Sequence, residues 1–466
     1  MLGANKKPTY VGSNKIIFLK RGFNINIKGK ANETFIEEAI IENFAVQPGN
    51  FRGVVPIPKV VVNSGDKVKA GDLLFYDKKR PELKFVSPVS GTVKAINRGL
   101  RRSIKEIVVT KGEKMEYKKF DSPDLNSVSR EDLVDFMLES GVWPLIKQRP
   151  YDLVPDKNDI PKNIFISTFD TAPLAPDYNF IIKGKEDIFQ KGLDVLTKLT
   201  EGKVFLGLDA NRKEAPSDVF TKANGVEKTY FKGPHPSGNV GIQIHHLAPI
   251  RGTNKVWTLG IQEVLTIGNL FLNNIYDASR IIAIVGEDVE TPGYINTYLG
   301  ADIAESVRVC LKDTKCRVIS GNVLTGETKE YGEFVNAFDY LISVIPKGNY
   351  FESFGWFIPQ KSRPTFSKTF LSRWINPGKT YSVDTNTHGQ ERAFVATGIY
   401  KEVLPMDIYP VHLMKAILAG DIERMEGLGI NEVAEEDIAL CEFICPSKQE
   451  FQAILRDGHR MMIEQG

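Results

Sequence analysis

At 466 residues the chain is too long for one ordinary core, and at roughly 100–200 residues per domain it should divide into three or four. Its 42% hydrophobic and 25% charged residues fit folded globular domains, and 60 basic against 58 acidic side chains (formal charge +2) give no electrostatic ground for a nucleic-acid or polyanion partner. Four cysteines (Cys310, Cys316, Cys441, Cys445) do not make a disulfide framework, no signal peptide precedes them, and no apolar run approaches the ~20 residues that cross a bilayer, so a reducing cytoplasm is expected.

In chain order, an insertion-like stretch at 47–53, containing Phe51 and Arg52, precedes short β-branched runs between 60 and 111 that are punctuated by Gly-Asp and Ser-Pro. This spacing predicts the short strands of a barrel or sandwich. The turns Gly65-Asp66, Gly71-Asp72 and Ser87-Pro88-Val89-Ser90-Gly91 come in an order that resembles the biotinyl/lipoyl carrier fold. Carriers of that fold project a lysine from a hairpin tip to be acylated. Here the tip is Lys78-Lys79-Arg80-Pro81-Glu82, with Arg80 and Pro81 where the lysine would stand, so no covalently attached cofactor is expected.

From 129 to about 250 the pattern changes. Ser129 followed by Arg130-Glu131-Asp132 reads as a helix start and Gly141 as its stop; 164–167, 180–182 and 203–208 read as buried strands, and 187–200 as a helix between two of them. The stretch from 256 to 344 is richer in strands, and the last hundred residues run from the turn Thr385-Asn386-Thr387-His388-Gly389 into helices around 411–418 and 448–464. The expected fold class is multidomain α/β plus β: a biotinyl/lipoyl-like barrel-sandwich module (15–112), a Rossmann-like α/β domain (113–255), a small β-grasp-like domain (256–345) and a C-terminal helical region (346–466).

Chemistry-bearing motifs are sparse. Neither a G-x-G-x-x-G nor a G-x-x-x-x-G-K-[ST] is present, nor a G-x-S-x-G elbow or an H-E-x-x-H helix. Residues Glu139-Ser140-Gly141 resemble the start of the glycine-rich FMN loop in the flavin-binding subunit of respiratory complex I and in the C subunit of the Rnf complex. Then Val142, Trp143, Pro144, Leu145 and Ile146 replace the glycines, removing the space and the N–H donors that a phosphate needs. Cys441-x-x-x-Cys445-Pro446 offers two thiols where a [4Fe–4S] cluster takes four. His235, His245 and His246 cluster, but the last two would point to opposite faces of a strand, and the Pro-Gly density around them reads as an ordered turn. No catalytic, cofactor-binding or metal residue is assigned.

Several blocks in the same order carry a wider resemblance: Lys84-Phe85-Val86-Ser87-Pro88-Val89-Ser90-Gly91 with Ile96-Asn97-Arg98-Gly99, then Gly192-Leu193-Asp194-Val195-Leu196, Gly233-Pro234-His235-Pro236, Phe354-Gly355-Trp356, and Glu435-Glu436-Asp437-Ile438-Ala439-Leu440-Cys441-Glu442-Phe443-Ile444-Cys445-Pro446. From about Lys15 to the end the chain resembles the A subunits of the Na+-translocating NADH:quinone reductases, the NqrA family. The resemblance implies a peripheral subunit on the cytoplasmic face of the bacterial inner membrane. It would belong to a complex of six subunits and touch the membrane only through partners, especially the membrane-bound B subunit. Flavins and iron–sulfur centres would sit in partner subunits, none would be bound tightly here, and the isolated chain would be inactive. Quinone would be the substrate. The alternative is a soluble FMN or Fe–S electron-transfer subunit of the Rnf or complex I kind. A quinone head group needs a flat apolar slot with a few donors, and Trp143, Lys147, Arg149 and Tyr151 offer that mixture within nine residues. The competing view has Trp143 and Tyr151 anchor the loop while Lys147 and Arg149 are solvated; Phe51 and Arg52 are weaker candidates.

Overall fold

The computed structural model describes residues 6–312, 315–348, 350, 364, 366, 379–395 and 397–465. The block Phe354-Gly355-Trp356 lies outside them.

The N-terminal barrel is built from two small sheets. One runs Asn43–Val46, Ile104–Lys111, Gly91–Arg98, Lys67–Val68; the other runs Lys59–Val60, Leu73–Tyr76, Lys84–Val86. Their alternating apolar residues meet inside, where Phe75 and Phe85 stack 4.5 Å apart and Val93, Ile107 and Val109 are buried. The hairpin tip at 78–82 does not project freely. Arg80 donates to the carbonyl oxygens of Val154 (3.0 Å) and Gly53 (3.1 Å), so the place of a carrier lysine is tied to the next layer.

That layer is a six-stranded sheet in the order Lys15–Phe18, Glu227–Lys232, Val204–Asp209, Ile164–Ser167, Val256–Leu259, Lys147–Arg149. All neighbours are parallel except the last pair. Residues 15–18 form the far edge of this sheet, and the expected division at 255 falls inside the layer. There Val256–Leu259 pairs with Ile164–Ser167 and the following helix, Ile261–Asn273, packs against the helix Glu186–Thr197. The two helices come close because glycines face each other's backbone: a Cβ on Gly192 would lie 2.3 Å from the Val264 carbonyl oxygen, and one on Gly268 1.9 Å from that of Ile188. The expected strand at 180–182 is instead the end of a short helix, Tyr178–Ile181. Asp177 caps it by accepting from the Asn179 N–H at 2.9 Å, a local signal stronger than three apolar residues in a row.

A five-stranded mixed sheet follows, in the order Gly293–Tyr298, Ser279–Val285, Leu341–Pro346, Cys316–Ser320, Glu327–Lys329. The chain then reaches four packed helices, Pro410–Leu418, Ile422–Gly427, Glu435–Phe443 and Phe451–Gln465, around the buried Met414, Met425, Phe451 and Leu455. No helix among the described residues is long and apolar enough to cross a membrane.

The barrel and the α/β layer meet at Gly141, which ends the helix Arg130–Glu139 at φ +78°; a Cβ there would lie 2.7 Å from both methyl carbons of Val86. Gly141→Ala combines left-handed strain with overpacking and should cost about 2–4 kcal/mol. Urea denaturation reads this directly, and an unchanged midpoint would remove Gly141 from the joint.

Candidate functional site

In an open α/β sheet, ligands sit beyond the carboxyl ends of the parallel strands, where successive loops diverge. The structure has a cavity of about 190 Å³ at that edge. Its floor is the end of two strands, at Ser167 and at Thr258-Leu259-Gly260, and the first turn of the following helix contributes Glu263. Asn322, Leu324 and Thr325, from the turn between two strands of the five-stranded sheet, close it from above with Phe338 and Tyr340. Glu436, from the C-terminal helices, closes one side. Three layers of the molecule thus meet around one space.

The edge strand Lys147–Arg149 forms a wall. It runs antiparallel to Val256–Leu259, with Lys147 opposite Thr258 and Arg149 opposite Val256. Alternation along a strand sends Lys147 and Arg149 to the cavity and Gln148 to the other face, where its side-chain oxygen accepts from Trp257 Nε1 at 3.1 Å. Of the four residues singled out in the sequence, these two line the cavity. Trp143 and Tyr151 flank the strand and do not line it. Trp143 is fully buried edge-on against Trp257, its Nε1 donating to the Pro155 carbonyl oxygen at 2.9 Å, and Tyr151 donates to the Asn431 side chain at 2.6 Å while resting on His459.

The two cations differ in availability. Arg149 is 5% exposed and meets three carboxylates: Asp152 at 2.6 Å, Glu436 at 3.0 Å and Asp437 at 3.9 Å. Burial disfavours its charge, but Asp152, Glu436 and Asp437 outweigh that and hold the guanidinium charged even more firmly than usual. Lys147 makes no ion pair among the described residues; its Nζ lies 4.0 Å from the centre of the Phe338 ring.

Sequence reasoning missed most of the remaining lining. Asp170 lies just past the strand Ile164–Ser167, a place the strand-end rule could have flagged. Its Oδ1 accepts from the Ala172 N–H at 2.8 Å, and no cation pairs with it among the described residues. Burial pushes its carboxyl up to about 6, against the pull of the Ala172 hydrogen bond and with help from the charge of Glu436. Tyr178 and Tyr340 pack at 5.9 Å, and the Tyr340 hydroxyl donates to Glu263; burial raises both phenols far above their usual range. Burial pushes His235 down to about 3, so this imidazole is neutral near pH 7, with Nδ1 3.1 Å from Thr171 Oγ1.

The remaining histidines and cysteines singled out in the sequence lie outside this cavity. His245 and His246 lie on a helix, Val240–Leu247, and not on a strand. Both hold the C-terminal region: His245 Nδ1 is 2.9 Å from Glu432 while Nε2 accepts from the Asp407 N–H at 3.1 Å, and His246 Nε2 is 2.8 Å from the Pro405 carbonyl oxygen. The four cysteines are buried free thiols; Cys445 Sγ is 3.2 Å from the Tyr400 hydroxyl, and Cys310 donates to the Val307 carbonyl oxygen. Among the described residues, no three His, Cys, Asp or Glu converge in an arrangement that could hold a metal ion.

The carboxyl of Asp170 titrates higher folded than unfolded, so its contribution to stability is fully present below about pH 4 and is lost as pH rises through about 6. The loss amounts to at most about 3 kcal/mol. Asp170→Asn can keep the Ala172 hydrogen bond, and its stability should fall less than that of the wild type between pH 4 and 6.5. Parallel stability curves for the two proteins across that window would contradict the assignment.

Comparison with known proteins places this architecture. Three family models match in order: the NqrA N-terminal barrel-sandwich hybrid domain at residues 17–112, the NqrA second alpha/beta domain at 128–275 and the NqrA C-terminal domain at 281–330. The A subunit of the Na(+)-translocating NADH-quinone reductase of Saccharophagus degradans is 37% identical over 97% of this chain and 100% of its own length. That of Yersinia pseudotuberculosis serotype I is 37% identical over 95% and 98%, and that of Neisseria meningitidis serogroup B 35% identical over 95% and 98%. With likeness at this level over nearly the full length of both partners, the chain belongs to the NqrA family, the A subunits of the Na(+)-translocating NADH-quinone reductases.

Proposed function

We propose that this chain is the peripheral A subunit of a Na+-translocating NADH:quinone oxidoreductase. In this role it contributes to quinone reduction and to assembly with the membrane subunits, while the whole complex couples the reaction to sodium export. The observation that carries this is 35–37% identity over nearly the whole length of subunits of that name. We place the chain on the cytoplasmic face of the inner membrane, in contact with the membrane-bound B subunit, and the flavins and iron–sulfur centres in partner subunits. In fold terms we read the α/β layer as Rossmann-like and the five-stranded sheet as β-grasp-like.

The quinone head group is assigned to the cavity. Lys147, with no ion pair among the described residues, supplies a cationic donor for a carbonyl oxygen, Tyr178, Phe338 and Tyr340 supply flat apolar faces, and Asp170 can accept from a quinol hydroxyl. Trp143 and Tyr151 hold the wall in place from behind, and Arg149 fixes it to the C-terminal helices.

The alternative, an FMN-binding subunit, fits the loop poorly. Val142, Trp143, Pro144 and Leu145 are buried, and the N–H groups of Leu145 and Ile146 are already bonded to the carbonyl oxygens of Val142 and Trp143. The donors that would cradle a phosphate are used within the turn.

Two measurements test the assignment. The purified chain should show no flavin or iron–sulfur absorption at near-stoichiometric occupancy; such a chromophore would favour the FMN or Fe–S alternative. Losing one charge-assisted hydrogen bond is worth about 1.5 kcal/mol, so Lys147→Met should weaken binding of a short-chain, water-soluble quinone roughly tenfold. Trp143→Phe and Tyr151→Phe should leave it within about twofold. The reverse pattern would move the site to the other side of the strand.

A further inference from the structure

One family block, Ile96-Asn97-Arg98-Gly99, has no part in the cavity. It opens the hairpin between the strands Gly91–Arg98 and Ile104–Lys111, at one end of the barrel. The turn is well closed: the Gly99 N–H donates to the Ser103 carbonyl oxygen at 2.9 Å, and the Ser103 hydroxyl donates to that of Leu100 at 2.9 Å. Yet Arg101 and Arg102 have φ of 52° and 64°, a left-handed backbone that residues with side chains rarely adopt. Nothing is buried in exchange. Leu100, at the apex, is 90% exposed, and Arg98, Arg101 and Arg102 around it are exposed and make no ion pair among the described residues.

The surroundings share this character. The Ile104 N–H donates to the Pro56 carbonyl oxygen at 3.1 Å, which lays the segment 54–63 against the base of the hairpin, with Ile57 39% exposed. Segments 54–63 and 96–105 contain Lys59, Arg98, Arg101, Arg102 and Lys105 and not one acidic residue, in a chain whose total charge is nearly balanced. Among the described residues, only Lys105 of these cations has a carboxylate partner, Glu333 at 2.9 Å.

We propose that this end of the barrel docks on an anionic phospholipid surface, with Leu100 entering the interface and Arg98, Arg101 and Arg102 at the headgroups. A protein partner of ordinary size calls for a contiguous apolar core with a paired polar rim. A single apolar apex ringed by unpaired cations matches a surface of diffuse negative charge over hydrocarbon. The contact would be weak alone and would add to attachment through partner subunits.

Flotation of the full chain with vesicles tests this, comparing phosphatidylcholine alone with a mixture containing about one third phosphatidylglycerol. Binding is expected only to the anionic vesicles and should fade with added salt. The triple variant R98Q/R101Q/R102Q should reduce it by at least about tenfold, and Leu100→Asn by a few-fold. All these side chains are exposed, so unchanged thermal unfolding of the variants would exclude misfolding. No binding to anionic vesicles, equal binding to both kinds, or variants that float like the wild type would overturn the proposal. So would variants that float normally but fail to assemble with the membrane subunits, which would assign the tip to a protein partner.

Discussion

The arrangement around the cavity depends on one buried cation. A guanidinium taken out of water without partners is strongly unfavourable, so Arg149 has to be met by carboxylates wherever the fold puts it. Asp152 comes from its own loop, but Glu436 and Asp437 come from the first turn of a helix nearly three hundred residues later. That helix start is itself held in place, since Asp437 accepts from the Ala434 N–H at 3.0 Å and Asn239 donates to the Glu436 carbonyl oxygen at 3.0 Å. Burial and the neighbouring Glu436 raise the Asp437 carboxyl despite the nearby arginine. Pairing Arg149 therefore fixes the C-terminal helices against the edge of the α/β sheet, and the cavity is the space left between them.

The same loop ties in the barrel. Arg80 reaches the Val154 carbonyl oxygen from the hairpin tip, and Arg52 pairs with Glu435, one residue before the Arg149 partners. Phe51, in the stretch that reads as an insertion, packs edge-on against Phe85 of the barrel and against Phe338, in the turn that leads into the strand Leu341–Pro346. What reads in the sequence as an insertion is the joint where three layers meet, and its buried aromatic ring is the reason it is ordered.

Much of this was legible in the sequence, for identifiable reasons. The barrel could be read because its turns carry Gly-Asp and Ser-Pro pairs whose backbone demands are local, and the helix at 130–139 because Ser129 and its acids are local signals too. The partition of the sheet could not. Lys15–Phe18 pairs with a strand more than two hundred residues away, and nothing in four residues says which sheet they will join. The lining of the candidate site was half legible. Lys147 and Arg149 stand out because they lie beside Trp143 and Tyr151 within nine residues, and Asp170 sits just past a strand end, but Glu263, Tyr340 and Glu436 are brought to them by tertiary packing alone.

The tethered hairpin tip carries a mechanical consequence. A carrier domain of this shape works as a crane: its tip travels between distant centres with the cargo on a flexible arm. With Arg80 clasped to two backbone carbonyls of neighbouring segments, the crane becomes a bracket. It surrenders reach for a fixed bearing. In a protein built this way the barrel keeps one position against its neighbours, and any traffic between sites has to be carried by something other than its tip.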